Sequence, residues 1–258
     1  MSRFPTVARA MPNAGRAPQA FPATRHSVLA ATRSRDPEER RRAFGVLVAS
    51  YWKPVYKYLR LRWHAGVEDA EDLTQGFFAR AFEKGFFDRF DPARARFRTF
   101  LRTCLDAHAG NARVAARRKK RGGAEKTLSL DFAAAEGELR MQPAAADTDM
   151  EEYFHREWVR SVFGLVVGAL RRRAEGRGRT VAFEVFRRYD LEDAGGARRP
   201  TYAELGRELG LPATQVTNHL AAMRREFRTL VLETLREQCA SEGEFRAESR
   251  ALLGVDPP

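Results

Sequence analysis

The sequence predicts an all-α protein made of two small helical domains joined by a flexible linker. Three observations carry that expectation. Apolar residues recur at three- and four-residue steps in both halves of the chain. No convincing two-residue alternation appears in the first half, so strands are not expected there. A stretch rich in Gly, Ala and Pro separates the halves.

The elements follow in order. Residues 1–40 read as a disordered basic tail, because positions 1–35 hold six arginines, no acidic residue, and Pro5, Pro12, Pro18 and Pro22. Such a segment cannot bury enough apolar surface to offset its chain entropy. Residues 41–121 form the first predicted domain. Phe44, Leu47, Val48, Tyr51, Val55, Tyr58 and Leu59 make the stripe of an amphipathic helix, with Pro54 positioned to kink it. A second helix is expected from Glu68 to Lys84, with Leu73, Phe77, Phe78, Ala81 and Phe82 inward. A third follows Asp91-Pro92, carries Phe97, Phe100, Leu101, Cys104 and Leu105, and runs into a basic stretch that Gly122-Gly123 stops.

Residues 122–148 read as the linker and 149–238 as the second domain, with 239–258 a carboxyl-terminal tail. Asp149 is placed to cap a helix, and Glu152 to reach back to its first turn. Phe154, Trp158, Val162, Leu165 and Ala169 then define one face, and Val181, Val185, Phe186 and Tyr189 the face of a shorter helix. Thr201 with Glu204 forms a capping box for the next helix. Gly210-Leu211-Pro212 makes a tight turn, and a further helix runs from Ala213 through Arg224-Arg225. Gly206 lets these two helices approach closely. The pattern is that of a helix-turn-helix, whose second helix enters the major groove of DNA.

Charge points to the same kind of partner. The 258 residues hold 46 Lys plus Arg against 34 Asp plus Glu, a formal net charge of +12. That balance favours a polyanion. On the last helix Val216, Leu220, Met223 and Phe227 take the apolar face and leave Thr214, Gln215, Thr217 and Asn218 outward. Gln and Asn can pair bidentately with adenine edges, and Thr can meet a thymine methyl. Arg224 and Arg225 suit phosphates. Arg113, Arg117, Arg118, Lys119, Lys120 and Arg121 place six positive charges in nine residues, a surface suited to single-stranded nucleic acid. Glu68, Asp69, Glu71 and Asp72 instead gather negative charge at one helix start, where the macrodipole favours it and where a basic protein surface could dock.

Other classes find less support. Cys104 and Cys239 form no Cys/His cluster, so neither a disulfide framework nor a metal site is expected. No cofactor is called for. No apolar run approaches the roughly 18 residues of a membrane span, and the amino terminus lacks the apolar core of a secretory signal. A cytoplasmic location is therefore expected. No catalytic grouping such as a HExxH motif or phosphate-binding Gly loop is found, so an enzyme is not expected. One reading is a helix-turn-helix regulator that binds duplex DNA on its own.

Three segments carry a resemblance. Asp69-Ala70-Glu71-Asp72-Leu73-Thr74-Gln75 with Phe77-Phe78 resembles the polymerase-binding helix of sigma domain two. Phe97-Arg98-Thr99-Phe100-Leu101 through Lys120-Arg121 is similar to the promoter-melting helix that follows it. Thr201 to Gly206, Gly210-Leu211-Pro212 and Val216 to Leu220 resemble sigma domain four. In series over residues 43–121 and 150–237 they resemble RNA polymerase sigma factors of the extracytoplasmic-function type. Asp106 to Gly110 departs from that family, which carries apolar or aromatic residues there.

The resemblance implies a promoter-recognition role. Asp69, Glu71, Asp72 and Gln75 would bind core RNA polymerase. Arg113, Arg117, Arg118, Lys119, Lys120 and Arg121 would engage the minus-ten element. Thr214, Gln215, Thr217, Asn218, Arg224 and Arg225 would read the minus-thirty-five element. Promoter DNA and core polymerase are then the partners, with an anti-sigma factor as a further one.

Overall fold

The computed structural model describes residues 28–116, 128–142, 144–145, 147–192 and 200–254, and among them it is all-α with no strand. Its helices are α1 (Val28–Ala31), α2 (Pro37–Arg62), α3 (Val67–Lys84), α4 (Phe97–Ala116) and α5 (Phe132–Met141). They are followed by α6 (Met150–Gly176), α7 (Thr180–Phe186), α8 (Tyr202–Leu209), α9 (Ala213–Gln238) and α10 (Glu242–Leu253). A 3-10 turn at Phe86–Arg89 and a π turn at Arg187–Leu191 complete the regular structure. No described helix is long and apolar enough to cross a membrane.

The chain divides into two compact units. Among the described residues, one comprises 28–163 and 236–245, the other 164–235 and 246–254. The division therefore falls inside α6 and α9 rather than at position 148.

In the first unit, residues 28–40, expected to belong to the tail, include α1 and the start of α2. Val28 and Leu29 of α1 are buried, and Asp36 caps α2 by accepting from the Glu38 N–H, with Pro37 in the first turn. Helix α2 continues through Pro54 for 26 residues. Its Phe44 ring meets Phe78, Phe82 and Phe87, while Tyr51 meets Phe97, Phe154 and Trp158. Phe97 belongs to this core at 1% exposure, with Phe87 and Phe90 edge-on to it. Asp106 and Gly110, where the sequence departs from the sigma pattern, serve this packing. Asp106 accepts from Tyr58 Oη and Trp63 Nε1, and the Gly110 Cα faces the Trp63 ring.

The linker expectation for 122–148 does not hold throughout. Residues 132–141 form α5, capped by Asp131 and packed on α2. Phe132 lies between Trp52 and Tyr56, with ring centroids 5.6 and 5.2 Å away. Glu136 accepts from Tyr56 Oη at 2.9 Å and from both Arg60 Nε and Nη2 at 3.0 and 2.9 Å. Glu138 accepts from Lys53 and Lys57 at 2.5 and 2.8 Å. Lys57 also donates to Glu157 of α6 at 2.6 Å, a pair whose side chains are both 3% exposed. One ammonium thus joins three helices.

The Glu136 carboxyl is held at about 2, chiefly by the Arg60 hydrogen bonds, against an ordinary 4.5. A depressed pKa means stabilisation that is complete above about 4.5 and lost as pH falls toward 2. Protection of residues 132–141 against hydrogen exchange, relative to the intrinsic rate at each pH, is expected to fall in that window, and less so in Arg60→Met, whose α5 is already loosened. Unchanged protection across it would refute the assignment.

The carboxyl-terminal segment of this unit is also built in. Gln238 is 2% exposed; its Nε2 donates to Ser50 Oγ at 2.6 Å and its Oε1 accepts from Trp158 Nε1 at 3.0 Å. Arg236 pairs with Glu242 and lies 4.0 Å from the Phe245 ring.

In the second unit, the buried stripe of α6 passes through Val166, Leu170 and Ala174, one register step from the expected Leu165 and Ala169. Leu165 is exposed. At the start of α6 Asp149 accepts from the Glu151 N–H as expected of a cap, but Glu152 pairs forward with Arg156 rather than reaching back. In α7 Val185 and Phe186 are buried, whereas Val181 is exposed.

Candidate nucleic-acid interface

Helix α8 starts at Thr201, whose hydroxyl accepts from the Glu204 N–H at 3.2 Å while Glu204 Oε2 accepts from the Thr201 N–H at 2.7 Å. The box is reciprocal, so two donors of the first turn are satisfied. The helix stops at Gly210, which takes the left-handed backbone (φ 67°), and the Leu211 N–H returns to Gly206 O at 2.7 Å. Pro212 then supplies its carbonyl to the N–H groups of Gln215 and Val216, opening α9. At Gly206 a Cβ would lie 2.5 Å from Leu211 O, which explains why a residue without one stands there.

This geometry fixes which side of α9 faces out. Val216, Leu220 and Met223 are at most 1% exposed, and Phe227 is 5% exposed. Thr214, Gln215, Thr217 and Asn218 are all exposed on the first two turns, as the spacing predicts. Thr217 also donates to Ala213 O at 3.1 Å. Arg225 is exposed. Arg207, on α8, is exposed too.

Arg224 is a correction. Its Nε and Nη2 each donate to the Asp190 carboxylate at 2.8 Å, and its guanidinium lies 5.5 Å from the Tyr189 ring. The Asp190 hydrogen bonds raise the Arg224 pKa further above its usual range. Asp190 sits on the π turn, so this bidentate pair clasps α9 to the end of α7. Nearby, Arg187 and Arg188 hold the Glu184 carboxyl down to about 2. Arg224 is thus committed inside the unit rather than free for phosphate.

A salt titration separates these roles. Each phosphate contact adds about 0.9 to the slope of log affinity against log salt for duplex DNA. With a duplex on the outer face of α9, Arg225→Gln is expected to flatten the slope by about that amount. Asp190→Asn with Arg224→Met is expected to weaken binding with the slope unchanged, and a slope drop in this variant would return Arg224 to the phosphate set.

The other expected sites are distributed as follows. On α3, Asp69 and Asp72 are exposed together with Glu68, and Glu71 is half-buried. Gln75 is 7% exposed and turns into the core beside Thr74, so it is not part of that outward acidic face. On α4, Arg113 is exposed; Arg117, Arg118, Lys119, Lys120 and Arg121 lie outside the described residues. His108 of α4 packs against Phe77, and burial lowers its pKa. Among the described residues no group of His, Cys, Asp or Glu is arranged to hold a metal ion. No protein-family model, curated protein or solved structure matches this chain.

Proposed function

We propose that the chain is a sigma factor of the extracytoplasmic-function type, which binds core RNA polymerase and directs promoter recognition and transcription initiation. The observation that carries this reading is the outer surface of α9. Four polar side chains stand exposed on its first two turns above a fully buried apolar face, after a three-residue turn of fixed geometry. That is the arrangement from which base edges are read in a major groove. The outward carboxylates Glu68, Asp69 and Asp72 at the start of α3 supply a second surface, suited to a basic patch on the polymerase. Exposed Arg113 on α4 is the described part of a third, directed at the minus-ten strand. Promoter DNA and polymerase are its partners in this reading, and a cytoplasmic location goes with it.

The test is association with purified core polymerase, followed by transcription from a promoter library with start sites read by sequencing. Asp72→Lys is expected to reduce polymerase association at least ten-fold with unchanged helix content, since it reverses an exposed charge. Equal co-purification of wild type and variant would count against the docking face. Tight duplex binding with no polymerase association at all would favour a stand-alone regulator.

A further inference from the structure

Helix α4 presents its polar side to the first turn of α6. Opposite the buried stripe Phe97, Leu101, Leu105 and Ala109 lie Arg98, Thr99 and Arg102, all half-exposed. Glu151, at the start of α6, reaches across to them. Its carboxylate accepts from Arg102 Nη2 at 3.0 Å and faces Thr99 Oγ1 at 3.5 Å. Arg98 lies over the Trp158 ring at 5.4 Å, about two turns further along α6.

The carboxylate is delivered by a rigid support. The Glu151 N–H is held by Asp149 at 2.9 Å, and Phe154 and Trp158 behind it are each 2% exposed. The Lys57–Glu157 pair anchors the same stretch of α6 to α2. A guanidinium and a hydroxyl converging on one anionic oxygen pair are the donors that a phosphodiester would take. Glu151 itself stays exposed, its side chain 58% accessible, so a competing anion can displace it by rotating the side chain alone.

We propose that Glu151 acts as an internal phosphate surrogate, occupying the entry of α4 until the backbone of a single-stranded nucleic acid displaces it. This rests on the reading of α4 as the strand-binding helix and adds a regulation of that same surface. Free protein would then bind single strands poorly, and anything that draws Glu151 off Arg102 would open the site.

Glu152 provides the control. It carries the same charge one residue on, but pairs along its own helix with Arg156 at 3.7 Å. Full-length wild type, Glu151→Gln and Glu152→Gln are titrated against a fluorescent single-stranded oligonucleotide at several salt concentrations. Glu151→Gln is expected to bind about two- to five-fold tighter, the range for losing one exposed ion pair. The advantage should shrink as salt rises, because screening weakens the Glu151–Arg102 pair that the strand must break in wild type. Glu152→Gln should match wild type. Equal tightening in both variants, no change in Glu151→Gln, or no binding by any of the three proteins overturns the proposal. Failure of the sigma reading registers separately, as absence of polymerase association in the same preparations.

Discussion

Gly206→Ala is expected to destabilise the unit containing residues 164–235 by about 1–3 kcal/mol, the usual cost of adding a methylene to filled space. The added carbon would meet Leu211 O at 2.5 Å and Val216 Cγ2 at 3.5 Å. The nearer atom is backbone, and the Leu211 N–H is bonded to Gly206 O at 2.7 Å. The turn cannot retreat without stretching that bond, so the start of α9 moves with it. Loss of the duplex affinity proposed for α9 should therefore accompany the lowered thermal midpoint. Gly210 makes the contrast, because nothing lies within 4 Å of its Cβ position and only its left-handed backbone is special. Gly210→Asn should cost little, since Asn tolerates that conformation. An unchanged midpoint in Gly206→Ala would show that the close approach is relieved elsewhere.

Lys57→Met should be the costlier change, on the order of 3 kcal/mol, because it strands a buried carboxylate. Glu157, 3% exposed, would keep only Arg160, and Glu138 only Lys53. Adding Glu157→Leu to Lys57→Met is expected to recover most of the loss, as a well-packed apolar pair often equals a buried ion pair. Chemical denaturation of the two single variants and the double one forms the cycle. Additive losses would mean that the two side chains stabilise the fold independently.

What could be read in advance depended on whether partners are close in sequence. The capping box at Thr201 and Glu204, the small Gly206 and the Val216, Leu220, Met223, Phe227 stripe are local patterns, and each is found where the spacing puts it. Arg224 reads as a phosphate ligand because its partner Asp190 lies 34 residues away. Helix α5 was hidden for the same reason. Its own apolar residues are in large part Ala, and the Tyr56, Arg60, Lys53 and Lys57 groups that hold Glu136 and Glu138 are 76 to 85 positions upstream. Gln75 reads as polar and outward beside four acidic neighbours, yet the turn of α3 that buries Phe78 buries it too. In α6 two adjacent apolar positions, Leu165 and Val166, fit a helical stripe equally well, and only packing chose Val166.

The place of Gln238 determines how the chain can be cut. Stopping after Phe163 would leave Ser50 and the Trp158 indole facing a gap where an amide had answered both. Each abandoned polar group would cost about 1–3 kcal/mol. Proteolysis between the compact units should therefore yield an amino-terminal fragment that remains associated with the peptide bearing residues 236–245, and the two should separate only on denaturation.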